Sequence, residues 1–117
     1  MSSRRPGHLA LGRTGELIAA RWYQQRGGRI VARNHRCREG ELDLVVAEGR
    51  VLVFVEVKAR RSLAFGHPAE AVDAKRQVRL RRAAASFLAS SGRRPSSIRF
   101  DVAAVLPGRI EVVHGAF

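Results

Sequence analysis

The sequence has little from which to build covalent or metal cross-links. Its one cysteine, Cys37, excludes an internal disulfide, and its four histidines (His8, His35, His67, His114) lack the spacing of a zinc site. Both features suit a reducing cytoplasm and argue against a structural metal. The longest purely apolar run, Val51 to Val55, is far too short to span a bilayer, and no apolar stretch of a signal peptide follows the Arg-rich N-terminus. No membrane association is expected. Aromatic residues make up only 6% of the chain, too few for the aromatic platform of a single-strand nucleic-acid binder, so Trp22, Tyr23 and Phe54 read as core. Acidic residues are scarce as well: 10 Asp+Glu stand against 22 Lys+Arg, a formal charge of +12.

That imbalance runs along most of the chain, so the folded surface must be broadly positive. Such a surface gains affinity for polyanions by neutralising phosphates and releasing counterions, which makes nucleic acid, DNA first, the expected partner. An acidic protein gripped by the basic segment Arg76 to Arg82 is the other reading of the same charge. The length of 117 residues accommodates one core. The chain divides into a flexible basic N-terminus over residues 1–10 and a single domain over 11–117.

Along that domain, Gly12 to Gln25 predicts a helix with Thr14 as N-cap, Leu17, Ile18 and Trp22 as its apolar set, and a stop at Gly27-Gly28. Arg29 to Arg33 predicts a short strand and Asn34 to Glu39 a basic loop. Glu41 to Ala47 and Val51 to Ala59 predict a strand pair joined by a turn at Glu48-Gly49. Pro68 to Ala89 predicts a helical region broken near Asp73, with Leu80, Ala84, Phe87 and Leu88 inward, ended by the Ser90–Ser97 stretch. Ile98 to Leu106 and Arg109 to Val113 predict a last strand pair around Pro107-Gly108. The αβββαββ order implies an α/β domain with a central mixed sheet flanked by helices.

Chemistry concentrates on the central strands. Alternation puts Glu41, Asp43 and Val45 on one face of the first and Leu52, Phe54, Glu56 and Lys58 on one face of the second. A turn at Glu48-Gly49 pairs Ala47 with Arg50, sets Asp43 opposite Phe54 and Glu41 opposite Glu56, and makes Asp43, Glu56 and Lys58 converge. The second strand is apolar on both faces apart from Glu56, so a carboxylate there needs compensation. Carboxylates on adjacent strands, with the Val57 carbonyl beside them, supply hard oxygen ligands for Mg²⁺ or Mn²⁺. Lys58 would orient a water or stabilise charge on a reacting phosphodiester. Arg60, Arg61, Lys75, Arg76 and Arg79 follow as candidate phosphate contacts.

Asp43 followed by Glu56-Val57-Lys58 resembles the PD-(D/E)xK signature of the restriction-endonuclease-like superfamily, although Leu42 stands where that signature has proline. Helical Glu16 resembles the extra acid of archaeal Holliday junction resolvases and RecB-type nucleases. Over nearly the whole chain after residue 10, the segments GRTGELIAARWY, GELDLVV, LVFVEVKAR, FGHPAEAVDAKRQVRL and RFDVAAV resemble the YraN-like family of small bacterial proteins. The resemblance implies a restriction-endonuclease-like fold and a metal-dependent endonuclease. In it Asp43 and Glu56 are metal ligands, Lys58 is the catalytic lysine, and Glu16 is a supporting or second-metal acid.

Plainer readings stand beside these. Glu56 and Lys58 can be an ion pair on one strand face, Lys75 and Gln77 can be solvated helix residues, and His67 can be a turn residue. Asp101 reads as structural. The whole domain can be a non-catalytic nucleic-acid-binding module. A homodimer would suit cleavage of paired strands.

Overall fold

A computed structural model of the chain describes residues 6–62 and 66–117. The elements are α1 (Pro6–Gln25), β1 (Arg29–Cys37), β2 (Gly40–Glu48), β3 (Val51–Ala59), a 3₁₀ turn (Pro68–Ala71), α2 (Ala74–Ser91), β4 (Ser97–Leu106) and β5 (Arg109–Val113). The strands form one sheet in the order β1-β2-β3-β4-β5. β3 and β4 run parallel and the other neighbours antiparallel. The mixed sheet follows from connection length: hairpin turns join the antiparallel neighbours, while α2 supplies the long crossover that a parallel pair needs.

Each face of the sheet carries one helix. Leu52 and Phe54 of β3 pack with Leu80, Ala83, Ala84 and Phe87 of α2. Val53 and Val55 pack on the other side with Ala19, Ala20 and Tyr23 of α1. This explains why β3 is apolar on both faces. Phe54 lies 5.5 Å from Phe100 in a stacked arrangement and 6.1 Å from Phe87 edge-on. Burying each such ring is worth about 1.5–3 kcal/mol. α2 starts where expected, because the Asp73 side chain accepts the Arg76 N–H at 2.9 Å, and it ends at Gly92.

Several expectations need correction. The first helix already includes Pro6, where the described residues start, so Thr14 lies inside the helix and caps nothing. Of the N-terminal stretch expected to be flexible, residues 1–5 lie outside the described residues and residues 6–10 belong to α1. Leu17 and Ile18 face outward at 49% and 39% exposure, whereas Ala19, Ala20 and Tyr23 are buried. The inward face is the one with small residues: a Cβ on Gly15 would lie 3.5 Å from Ala59 Cβ, so α1 rides close to the sheet at Gly15, Ala19 and Tyr23, four residues apart. The bulky residues marked hydrophobicity, but proximity selected the small ones.

β1 does not stop at Arg33. It continues to Cys37 through the residues expected to loop, with a bulge between Ile30 and Ala32 and Asn34 at φ 50°. As an edge strand it tolerates the charge and the bulge that make its sequence read as a loop. The β2–β3 turn is shifted by one residue: Glu48 pairs with Val51, leaving Gly49 and Arg50 as the turn. Gly49, at φ 59°, occupies the first central position, where a II′ hairpin turn places glycine.

Candidate metal-binding and catalytic site

The turn shift changes which residues meet. Paired residues now sum to 99, as in Leu44 with Val55, so the continuing register puts Asp43 level with Glu56 instead of Phe54. The ladder itself ends at Leu44–Val55. Beyond it β2 turns away: Leu42 belongs to the α2-side core, while Leu44, two residues on, belongs to the α1-side core. A regular strand keeps such residues on one face, so the expected alternation breaks at Asp43.

At that break the Asp43 side chain replaces the missing strand. Its Oδ2 accepts the Val57 N–H at 2.9 Å. The N–H and C=O of a strand residue point to the same side, so the Val57 carbonyl faces the same opening between β2 and β3. Two elements of the expected site, Asp43 and the backbone of Val57, therefore meet through the splay of two strands.

Glu56 is buried, at 2% exposure, on the α2 side of β3. Its Oε2 receives the Nε–H of Arg76 from the first turn of α2 and lies 3.7 Å from Lys58 Nζ. Its Oε1 is buried with no hydrogen-bond donor among the described residues. Burial first, then the charge of Glu56 and a hydrogen bond shared with it, push Asp43 up to about 8; the Val57 N–H pulls the other way and Glu16 adds a further upward push. Two ionised carboxylates offer each other only acceptors. Asp43 therefore holds a proton well above the usual carboxylate range. Arg76 is held in its charged form by its hydrogen bond to Glu56, which outweighs its partial burial.

This donor set fits a hard divalent cation. Two carboxylates from adjoining strands adjoin an outward-facing backbone carbonyl, one buried oxygen has no donor among the described residues, and burial beside Glu56 keeps one carboxyl protonated. Among the described residues, however, no group of three or more His, Cys, Asp or Glu side chains comes close enough to hold a metal. Glu16 acts on Asp43 electrostatically but does not complete such a group.

The other candidates divide. Arg76, expected at phosphate, is an internal partner of Glu56, a role the sequence did not suggest because the two are 20 residues apart. Lys75, Arg79 and Arg61 are exposed and Arg60 is half-buried. Glu41 does not face Glu56; with Glu39 it lines a small cleft of about 60 Å³ beside Arg76 and Arg79. Asp101 is structural, as expected. Fully buried, it accepts Tyr23 OH at 2.6 Å, Arg99 at 2.8 and 3.0 Å, and the Gly115 N–H at 3.0 Å, and it lies 2.8 Å from His114 Nδ1. Burial raises the Asp101 pKa, but the hydrogen bonds from Arg99, Tyr23, His114 and Gly115 outweigh it and hold the group below the usual range. His114 and Tyr23 were missed as partners: they lie 13 and 78 residues from Asp101, and no local pattern marks such a meeting.

The fold and site thus define a small α/β domain, with a five-stranded mixed sheet between two helices and a carboxylate pair where β2 leaves β3. A family model described as "Uncharacterised protein family UPF0102" matches residues 15–105. UPF0102 proteins of Beutenbergia cavernae (53% identical, covering 86% of this chain and 85% of that protein) and Rhodococcus jostii (51%, covering 94% and 98%) are similar to it. So is one from Frankia alni (50%, covering 92% and 94%). The chain belongs to the UPF0102 family, the YraN-like family that its segments resemble.

Proposed function

We propose that this protein is a Mg²⁺- or Mn²⁺-dependent endonuclease acting on nucleic acid, DNA in the first instance, on a restriction-endonuclease-like version of the α/β fold. The observation that carries this reading is the pairing of Asp43 with Glu56 at the splay of β2 and β3, with Lys58 on the same strand face. The element order, the parallel β3–β4 pair and the Glu56-Val57-Lys58 spacing support it.

Asp43, Glu56 and the Val57 carbonyl would hold the ion, with Glu16 beside them. The bound ion would polarise a phosphodiester and lower the pKa of a water. Lys58, 31% exposed and tethered near Glu56, can turn its ammonium toward a phosphate oxygen and stabilise the charge that develops there. Arg60, Arg61, Lys75 and Arg79 would hold the flanking backbone. Arg76 holds Glu56 in position through its Nε–H.

The test is cleavage of labelled linear duplex, single strand, flap, four-way junction and structured RNA with Mg²⁺, Mn²⁺ or EDTA, run beside Glu56→Gln. Metal-dependent products lost in the variant are expected. Binding without products under every ion would leave a non-catalytic module. Arg76 on Glu56 Oε2 and the absence, among the described residues, of three acids close enough to share an ion favour that second reading.

A further inference from the structure

We propose that the end of the sheet opposite Asp43 and Glu56 is a second phosphate-binding face, in which Arg29, Arg50, Arg93 and Arg94 grip the nucleic-acid backbone at a distance from the carboxylate pair. Naming the polyanion as nucleic acid rests on the function proposed above; the cationic cleft does not.

Three separate elements bring these side chains together. Arg29 opens β1, Arg50 sits in the β2–β3 turn, and Arg93 and Arg94 follow the end of α2. They line one cleft of about 170 Å³ whose apolar wall includes Leu52, Val51 and Pro95. A hydrogen bond from Ser96 N to Arg50 O, 2.8 Å long, ties the turn to the α2–β4 connection and fixes the two sides of the cleft. All four arginines are exposed, and among the described residues none has a carboxylate within ion-pair distance.

Arginine keeps its charge at any working pH, so four guanidinium groups around one cleft repel each other unless an anion enters. The protein's own acids cannot serve. Glu39, Glu41, Asp43, Glu56, Glu70 and Asp73 all lie at the other end, where β3 finishes and α2 begins. Glu16 acts on Asp43, Glu48 beside the turn is bound to Arg99, Asp101 is buried in mid-sheet level with Val55 and also bound to Arg99, and Glu111 pairs with Arg109. The favourable dipole at a helix C-terminus accounts for arginines at 93 and 94. It does not account for Arg29 and Arg50, which belong to other elements. Guanidinium forks match phosphate oxygens in pairs, and the apolar wall strengthens that attraction by excluding water.

The placement sets a length. From Val51, in the cleft, to Glu56 is five residues of strand, about 17 Å, or about five steps of a duplex at roughly 3.4 Å each. Along α2, Lys75, Arg79 and Arg82 are exposed at a spacing that puts them on one stripe, and the stripe leads from the carboxylate end to Arg93. A backbone lying along α2 would meet positive charge at both ends.

The experiment is binding of a labelled duplex of about 20 base pairs by the full chain in EDTA, read by fluorescence anisotropy across a salt series. It compares wild type, Arg50→Ala/Arg94→Ala, and Arg109→Ala as an exposed arginine elsewhere. Each lost phosphate contact should weaken binding about eightfold at 0.1 M salt and reduce the log–log salt slope by about 0.9. The double variant should therefore bind roughly sixtyfold more weakly, while Arg109→Ala stays near wild type. An equal loss per arginine, about eightfold in Arg109→Ala beside about sixtyfold in the double variant, would mean that binding follows net charge, and would overturn the proposal. So would salt-insensitive wild-type binding, or displacement of the duplex by polyglutamate at equal charge concentration. With no metal present, the result is independent of cleavage. Binding through the cleft without cleavage in the substrate panel would overturn the nuclease reading alone, and unchanged binding by the double variant would overturn this face alone.

Discussion

Asp43 Oδ2 accepts the N–H of Val57, the residue between Glu56 and Lys58, at 2.9 Å. One carboxylate thus closes the end of the β2–β3 ladder and sits against a second buried carboxylate. Without a cation the arrangement costs stability. Asp43→Asn should separate those consequences: its amide can still accept from Val57 and can also donate to Glu56, without the charge. In EDTA at pH 9 the variant should melt higher than wild type, while metal-dependent cleavage is lost. A lower melting temperature than wild type would mean that Asp43 supports the fold mainly through its charge.

The pH dependence follows from the same pair. Asp43 titrates near 8 in the folded chain against about 4 when unfolded. The folded state therefore binds the extra proton between those values. Its contribution is fully present below about pH 4 and is lost as pH rises through about 8. Metal-free protein should lose stability over that window, and Mn²⁺ should remove most of the loss by displacing the proton. Calorimetry at pH 7 in buffers of different ionisation enthalpy should detect about one proton released per ion bound. Metal binding indifferent to pH between 6 and 9 would count against Asp43 as a ligand.

Arg76→Gln removes the guanidinium from a buried carboxylate whose other oxygen already lacks a donor. Full removal of a buried partner costs several kcal/mol; because Arg76 is 38% exposed, about 1–2 kcal/mol is expected in EDTA. Denaturant melts with and without Mn²⁺ should show a smaller loss when the ion is present. Equal losses in both conditions would mean that no ion reaches Glu56.

Tyr23 and Asp101 join α1 to β4 through the sheet's interior. Tyr23→Phe should cost about 2 kcal/mol, the worth of a hydrogen bond to a charged group. The Asp101 pKa is depressed, so its contribution is present above its unfolded value near 4 and is lost as pH falls through the folded one. Asp101→Asn should be less stable at pH 7 and show a shallower acid limb. An acid limb as steep as wild type's would place the acid sensitivity elsewhere.

Gly28→Ala should destabilise the domain by about 1–3 kcal/mol, because its Cβ would lie 2.8 Å from Val46 Cγ1 and 3.0 Å from the Tyr23 carbonyl oxygen. Thermal melts of the purified variant give the measurement, and an unchanged midpoint would show that α1 can move off the sheet at no cost.

The sequence by itself determined β3, the break at Asp73, the β4–β5 hairpin and the strand pair that carries Asp43 and Glu56. Each is marked by local signals: alternation, an N-cap, or a Pro-Gly turn. It also determined the family and the positive surface. Tertiary structure alone decided the rest. Which face of α1 turned inward depended on how closely the helix could approach the sheet, and the extent of β1 depended on its lying at an edge. The level at which Asp43 meets Glu56 depended on which residue of the turn took positive φ. The partners of Glu56 and Asp101 were decided the same way, because Arg76, Tyr23 and His114 reach them from other elements. A side chain's local sequence does not encode what the fold will set beside it.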